Sequence, residues 1–131
     1  MFRGMWVVLL FLLVACGKDM EDKLDGRWQL REVAEGGVTQ KVDTVWYSFQ
    51  QSLFELRLYD PAKDSARYMS GYRWVENELL TLELATGDTD LVDFLPLIDW
   101  EGKRRTFVID GLKDGDLTLR DGDAIYRFRR Y

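Results

Sequence analysis

Histidine is absent from the 131 residues, cysteine occurs once, at Cys16, and proline only twice. Without histidine the chain lacks the usual general base near neutral pH and the commonest metal ligand. A lone cysteine rules out a disulfide framework, so the core and the backbone ladders must hold the domain together. A phosphate-cradling glycine loop and a nucleophile elbow are also missing. Catalysis would have to rest on Asp, Glu, Tyr or Ser alone, and the chain is read as a non-enzyme that needs no cofactor. Positive charge is scarce as well: 18 Lys and Arg stand against 23 Asp and Glu, a net charge of −5, which disfavours nucleic acid as a partner. The long apolar run, Met5 to Val14, covers only about half of the roughly 20 residues that a helix needs to cross a bilayer.

What is present at the start of the chain is ordered: a single positive charge at Arg3, the apolar run, then the small Ala15 before Cys16. That order is signal-peptide architecture, so residues 1–15 are expected to be removed. Leu13-Val14-Ala15-Cys16 resembles the bacterial lipobox. The resemblance implies a diacylglyceryl group on the Cys16 thiol, cleavage before it, and acylation of the new amino terminus with chains of the palmitate class. At about 0.8 kcal/mol per buried CH₂, several such chains give stable anchoring. Residues 16–23 are read as the lipidated cysteine followed by a flexible tether, because Gly17-Lys18-Asp19-Met20-Glu21-Asp22-Lys23 is charged and aperiodic. Its acidic character resembles the tracts behind the lipidated cysteine in lipoproteins sent to the outer membrane of Gram-negative gut-type bacteria. The periplasmic and the outward face both remain open.

From Leu24 onward the apolar pattern has period two, with turn residues every eight to twelve positions, which is the signature of an antiparallel meander. Trp28 and Leu30, continuing to Glu32, mark a first strand that ends at Gly36-Gly37. Val45, Tyr47 and Phe49 mark a second; Phe54, Leu56 and Leu58 mark a third, ending at the Asp60–Asp64 turn. Tyr68, Ser70, Tyr72 and Trp74 share one face of a long aromatic strand, followed by Leu80, Leu82 and Leu84. Phe107 and Ile109, Leu117 and Leu119, and Tyr126 and Phe128 complete the series, with Asp-Gly turns between them. The expected fold is all-β, about eight strands over residues 24–131. Such a sheet closes into a barrel or folds as a sandwich, and closure is preferred because it removes exposed edges. Residues 86–103 break the rhythm, since Leu91, Phe94, Leu95, Leu97, Ile98 and Trp100 are spaced helically and Pro96 limits the helix to a short turn. This segment is expected to cover one mouth of the barrel.

Leu24-Asp25-Gly26-Arg27-Trp28-Gln29-Leu30 resembles the opening strand of lipocalin-like lipoprotein domains, where Gly-x-Trp sits at the closed end of the barrel. The resemblance implies an arginine of the last strand packed across the indole, with Arg127, Arg129 and Arg130 as candidates. The closing Ala124–Tyr131 segment resembles the last strand of the same lipoproteins in Gram-negative gut bacteria. A Thr-Asp-Tyr segment of the lipocalin type is not evident.

A small apolar or amphipathic ligand fits this picture, with Trp28, Tyr47, Tyr68, Tyr72 and Trp74 as the residues expected to meet it and Trp46 and Phe54 as neighbours. The alternative is a barrel packed solid by the same aromatics, serving as scaffold for an envelope protein that docks on residues 86–103. The carboxylate pairs Asp88/Asp90, Asp114/Asp116 and Asp121/Asp123 sit on turns and lack the spacing of a calcium loop, so they are read as turn formers and no metal is expected.

Overall fold

The structure, a computed structural model, describes residues 20–85 and 88–131, the side chains of 88–90 excepted. The signal segment, Cys16 and the Asp88/Asp90 pair lie outside the described residues. Among the described residues nine strands follow a helical segment, α1, described over 20–24: β1 (Gly26–Glu35), β2 (Val38–Lys41), β3 (Val45–Gln50), β4 (Leu53–Asp60), β5 (Ser65–Glu76), β6 (Leu79–Leu84), β7 (Arg104–Lys113), β8 (Asp116–Asp121) and β9 (Ala124–Arg130). Between β6 and β7 lie helix α2 (Asp88–Phe94) and a 3-10 turn (Leu95–Ile98).

Every pairing is antiparallel, each strand lies beside its successor along the chain from β3 to β9, and β9 returns to β1, from Trp28↔Arg130 to Ala34↔Ile125. Eight strands thus form a closed barrel. The other edge of β1 is shared: its first half pairs with β3 and its second half with β2, so β2 and β3 act as one strand interrupted at residues 42–44. Among the described strands, closure leaves only the short, fully exposed β2 as a free edge.

The inward face carries the expected residues in most strands: Trp28, Leu30, Val45, Tyr47, Phe49, Phe54, Leu56, Leu80, Leu82, Leu84, Phe107, Leu117, Tyr126 and Phe128 are all buried. Two elements depart from simple alternation. In β1 the register slips between Leu30 and Glu32, so Glu32 points outward, where Arg127 donates to it at 3.0 Å, and Val33 takes the inward position instead. A bulge adds one residue and inverts the face that follows, which a period-two reading ending at Glu32 does not anticipate.

The larger departure is β5. Met69, Gly71 and Arg73 face inward, leaving Tyr68, Tyr72 and Trp74 on the outer wall at 53%, 47% and 47% exposure. Gly71 shows why. Its inward face lies so close to the backbone of Glu83 and Leu84 in β6 that a Cβ would collide with the Glu83 carbonyl, so the two strands approach closely at the one inward position of β5 without a side chain.

The tether boundary also moves. Residues 20–23, read as part of the tether, belong to α1, which buries Leu24 and is held by side chains of β5 and β9.

Candidate functional site

The two ends of the barrel differ. At the end reached by α1 and by the β3–β4, β5–β6 and β7–β8 turns, Trp28 is fully buried and donates its indole N–H to the Leu24 carbonyl at 2.8 Å. The Arg130 guanidinium lies 4.4 Å from the Trp28 ring centroid and donates to the carbonyls of Asp25 and Lys23, both at 2.9 Å. Gly26 is necessary here, because at φ 130° a Cβ would occupy the space that Arg130 fills. Of the three arginines considered, Arg130 is the one that crosses the indole. Beside it the buried Arg73 bonds Asp25 and the Gln51 carbonyl and reaches the Glu21 carbonyl at 3.3 Å. This end is closed.

Above the plug the interior is packed with rings. Tyr47 meets Phe128 at 4.8 Å and Phe54 at 5.3 Å between centroids, and Trp100 stacks on Phe54 at 6.2 Å with planes 3° apart. These contacts fill the middle of the barrel, as the solid-core alternative requires.

The opposite end is not filled. Residues 88–100 fold across the β4–β7 side of the mouth: Leu91, Phe94, Ile98 and Trp100 are buried, and Arg67 covers the Phe94 ring at 5.2 Å. This is the cover that the helical spacing of 86–103 predicts. On the β1–β2 side a cavity of about 580 Å³ remains, walled by Leu30, Val33, Val42, Val45, Tyr47 and Ile98, with Glu35, Gln40, Asp99 and Tyr126 at polar points. That volume and composition fall in the range of small-ligand sites.

The polar groups form a connected set. Tyr126 donates to Asp99 at 2.9 Å and accepts from Arg105 at 2.6 Å; Arg105 also donates to the Asp99 carbonyl and to Asp121. Asp99 reaches this position because it ends the 3-10 turn in a left-handed conformation, φ 62°, which short polar side chains tolerate. Burial raises the Tyr126 pKa, against the opposing pull of Arg105, and burial pushes Tyr47 up to about 12. Both phenols are therefore neutral at physiological pH. The Tyr47 oxygen accepts the Trp100 indole N–H at 3.1 Å, which leaves its own proton for an acceptor in the cavity.

Of the five residues expected to meet a ligand, only Tyr47 lines this cavity. Trp28 is inside but at the closed end, and Tyr68, Tyr72 and Trp74 are outside. Val33, Val42, Asp99 and Tyr126 were not singled out as ligand residues. Nothing in the residue pattern marks them, because the β1 bulge, the interruption before β3 and the turn at Asp99 bring them together. Among the described residues no group of three carboxylates is placed to hold a metal ion.

An antiparallel barrel of eight strands, plugged at one end by Gly-x-Trp and an arginine and hollow at the other, is the architecture of the up-and-down barrels, and it is consistent with ligand binding. The chain belongs to the family described as "Lipocalin-like domain", whose profile matches residues 10–131. A lipocalin-like protein from Bacteroides uniformis has the same fold, with a TM-score of 0.75 and 23% identity over 83% of this chain and 99% of its own. An uncharacterized protein from Bacteroides eggerthii is similar at a TM-score of 0.68 and 25% identity, covering 82% and 99%. Among curated proteins none matches the chain.

Proposed function

We propose that this chain is a membrane-anchored binding module that takes a small apolar or amphipathic ligand into the cavity at the barrel mouth. The observation that carries the reading is the half-filled interior: rings pack the closed end and the middle, while an apolar hollow with two tyrosines and Asp99 at its edge is left open. The Tyr47 hydroxyl supplies a donor to a ligand carbonyl or carboxylate, and the Val33, Val42 and Val45 wall supplies the apolar contact. No catalytic role is assigned, in keeping with a fold that generally binds.

Trp100 touches Tyr47 and so reports on the cavity. Titrating the protein with fatty acids, lysophospholipids and flat aromatic ligands is expected to change tryptophan emission saturably for at least one class. Val33→Trp, which fills the hollow, should abolish that response while far-UV circular dichroism is kept. A silent wild type across the whole panel would discard the ligand reading.

Anchoring rests on the Leu13–Cys16 segment, and the family profile begins at residue 10 and so includes it. The location proposed is the outer membrane of a Gram-negative envelope. One observation favours the scaffold alternative: Val92 and Leu97, on the segment over the mouth, are exposed at 68% and 56%. If this segment docks an envelope protein, a photocrosslinker at position 92 should give one defined adduct.

A further inference from the structure

The outer wall near the closed end carries apolar side chains that the ligand reading does not use. Leu53 and Tyr72 are register partners across β4 and β5, Tyr72 and Trp74 lie 6.4 Å apart between ring centroids, and Leu79 begins β6 immediately after the β5–β6 turn. All four are 45% exposed or more. Arg104 rests over Trp74, 5.5 Å from the ring centroid. Aromatic residues, leucines and an arginine on one wall are the side chains that settle at the boundary of a lipid bilayer.

The position of this patch favours lipid over a protein partner. Trp74 and Val75 share a surface hollow with Glu21 and Asp22 of α1, so the patch adjoins the point where the chain passes to residue 19. Cys16 lies only four positions before Met20, a reach of at most about 14 Å even when fully extended. A lipidated Cys16 would therefore keep the α1 end of the barrel, and the wall beside it, within roughly this reach of the headgroups. From these observations, and resting on the anchor reading of Cys16, we infer that the Leu53–Tyr72–Trp74–Leu79 face docks peripherally on a phospholipid surface. Glu83 and Glu76 are the register partners of Tyr72 and Leu79, and Glu21 and Asp22 share the hollow with Trp74, so carboxylates outnumber Arg104 at the patch and the fitting surface is zwitterionic instead of anionic. Docked in this way, the barrel presents its open mouth away from the anchored end.

The test uses the full chain, processed in cells and reconstituted into phosphatidylcholine vesicles with or without bromine on the upper acyl carbons. Mass spectrometry first reads the state of Cys16. With Cys16 acylated, brominated lipid should quench part of the tryptophan emission, and Trp74→Phe should lose that part. Leu53→Glu/Leu79→Glu keeps every tryptophan and should weaken the quenching, with circular dichroism confirming the fold. Quenching that is absent, or equal in wild type and Trp74→Phe, overturns docking and leaves the anchor standing. A dimer that shields Trp74 from lipid overturns docking too and assigns the face to a second copy. An unmodified Cys16 overturns the anchor and the docking together.

Discussion

Tyr47 links stability to pH in a way that can be measured. Burial pushes its pKa up to about 12, whereas in the unfolded chain the phenol titrates near its ordinary value of 10.0. Between those values the unfolded state releases a proton that the folded state keeps. Stability is therefore independent of this group below about pH 10 and falls above it, by up to roughly 2–3 kcal/mol by pH 12. Urea unfolding at pH 9 and pH 11 should show the loss, and Tyr47→Phe should reduce it. A residual slope is expected from Tyr126, whose pKa is raised in the same direction by burial. At the closed end, Arg130→Met removes the contact with Trp28 and two hydrogen bonds to carbonyls, all at a solvent-exposed position. The expected cost is about 1–2 kcal/mol in chemical denaturation. Gly26 and Trp28 were legible in the residues, and the arginine of the last strand only through the resemblance to lipocalin-like lipoproteins. Which arginine completes the set depends on the β1–β9 register, which pairs Trp28 with residue 130.

Among the elements, β5 shows how far alternation can be trusted. A strand with apolar residues on both faces does not reveal which face is inside, and here the aromatic face looked like the core while Met69, Gly71 and Arg73 hold the inward row. The close approach of β5 and β6 at Gly71 is the reason, and it sets an expectation: Gly71→Ala forces a methyl group onto the Glu83 carbonyl and should lower stability by roughly 1–3 kcal/mol, read as a drop in Tm. Arg73 holds α1 to the barrel from the same row. Arg73→Leu takes the ion-pair partner from Asp25, but that carboxylate still accepts from the Gln51 N–H, is about one-third exposed and can hydrate, so the cost should lie below the roughly 3–5 kcal/mol typical of a broken buried pair. Amide exchange should quicken in residues 20–24 first. By contrast the 86–103 segment was readable, because its spacing changes from two to helical and Pro96 bounds the change.

For the whole molecule, anchoring and ligand binding are separable expectations. Cys16→Ser should move the full chain from the membrane to the soluble fraction without altering the ligand-induced change in tryptophan emission, since the described chain begins with α1 at the closed end, opposite the mouth cavity. If both properties disappear together, they do not reside in separate parts of the chain.

The sequence by itself determined the all-β class, the number of barrel strands and most turns, because each depends on local spacing and on residues adjacent in the chain. Only the tertiary structure decided that the interior is filled at one end and hollow at the other. That outcome depends on a slipped register at Arg31, an interrupted strand at 42–44 and a left-handed turn at Asp99. Each is a small backbone event without a residue pattern of its own, and the cavity exists where closure of the barrel brings the three together.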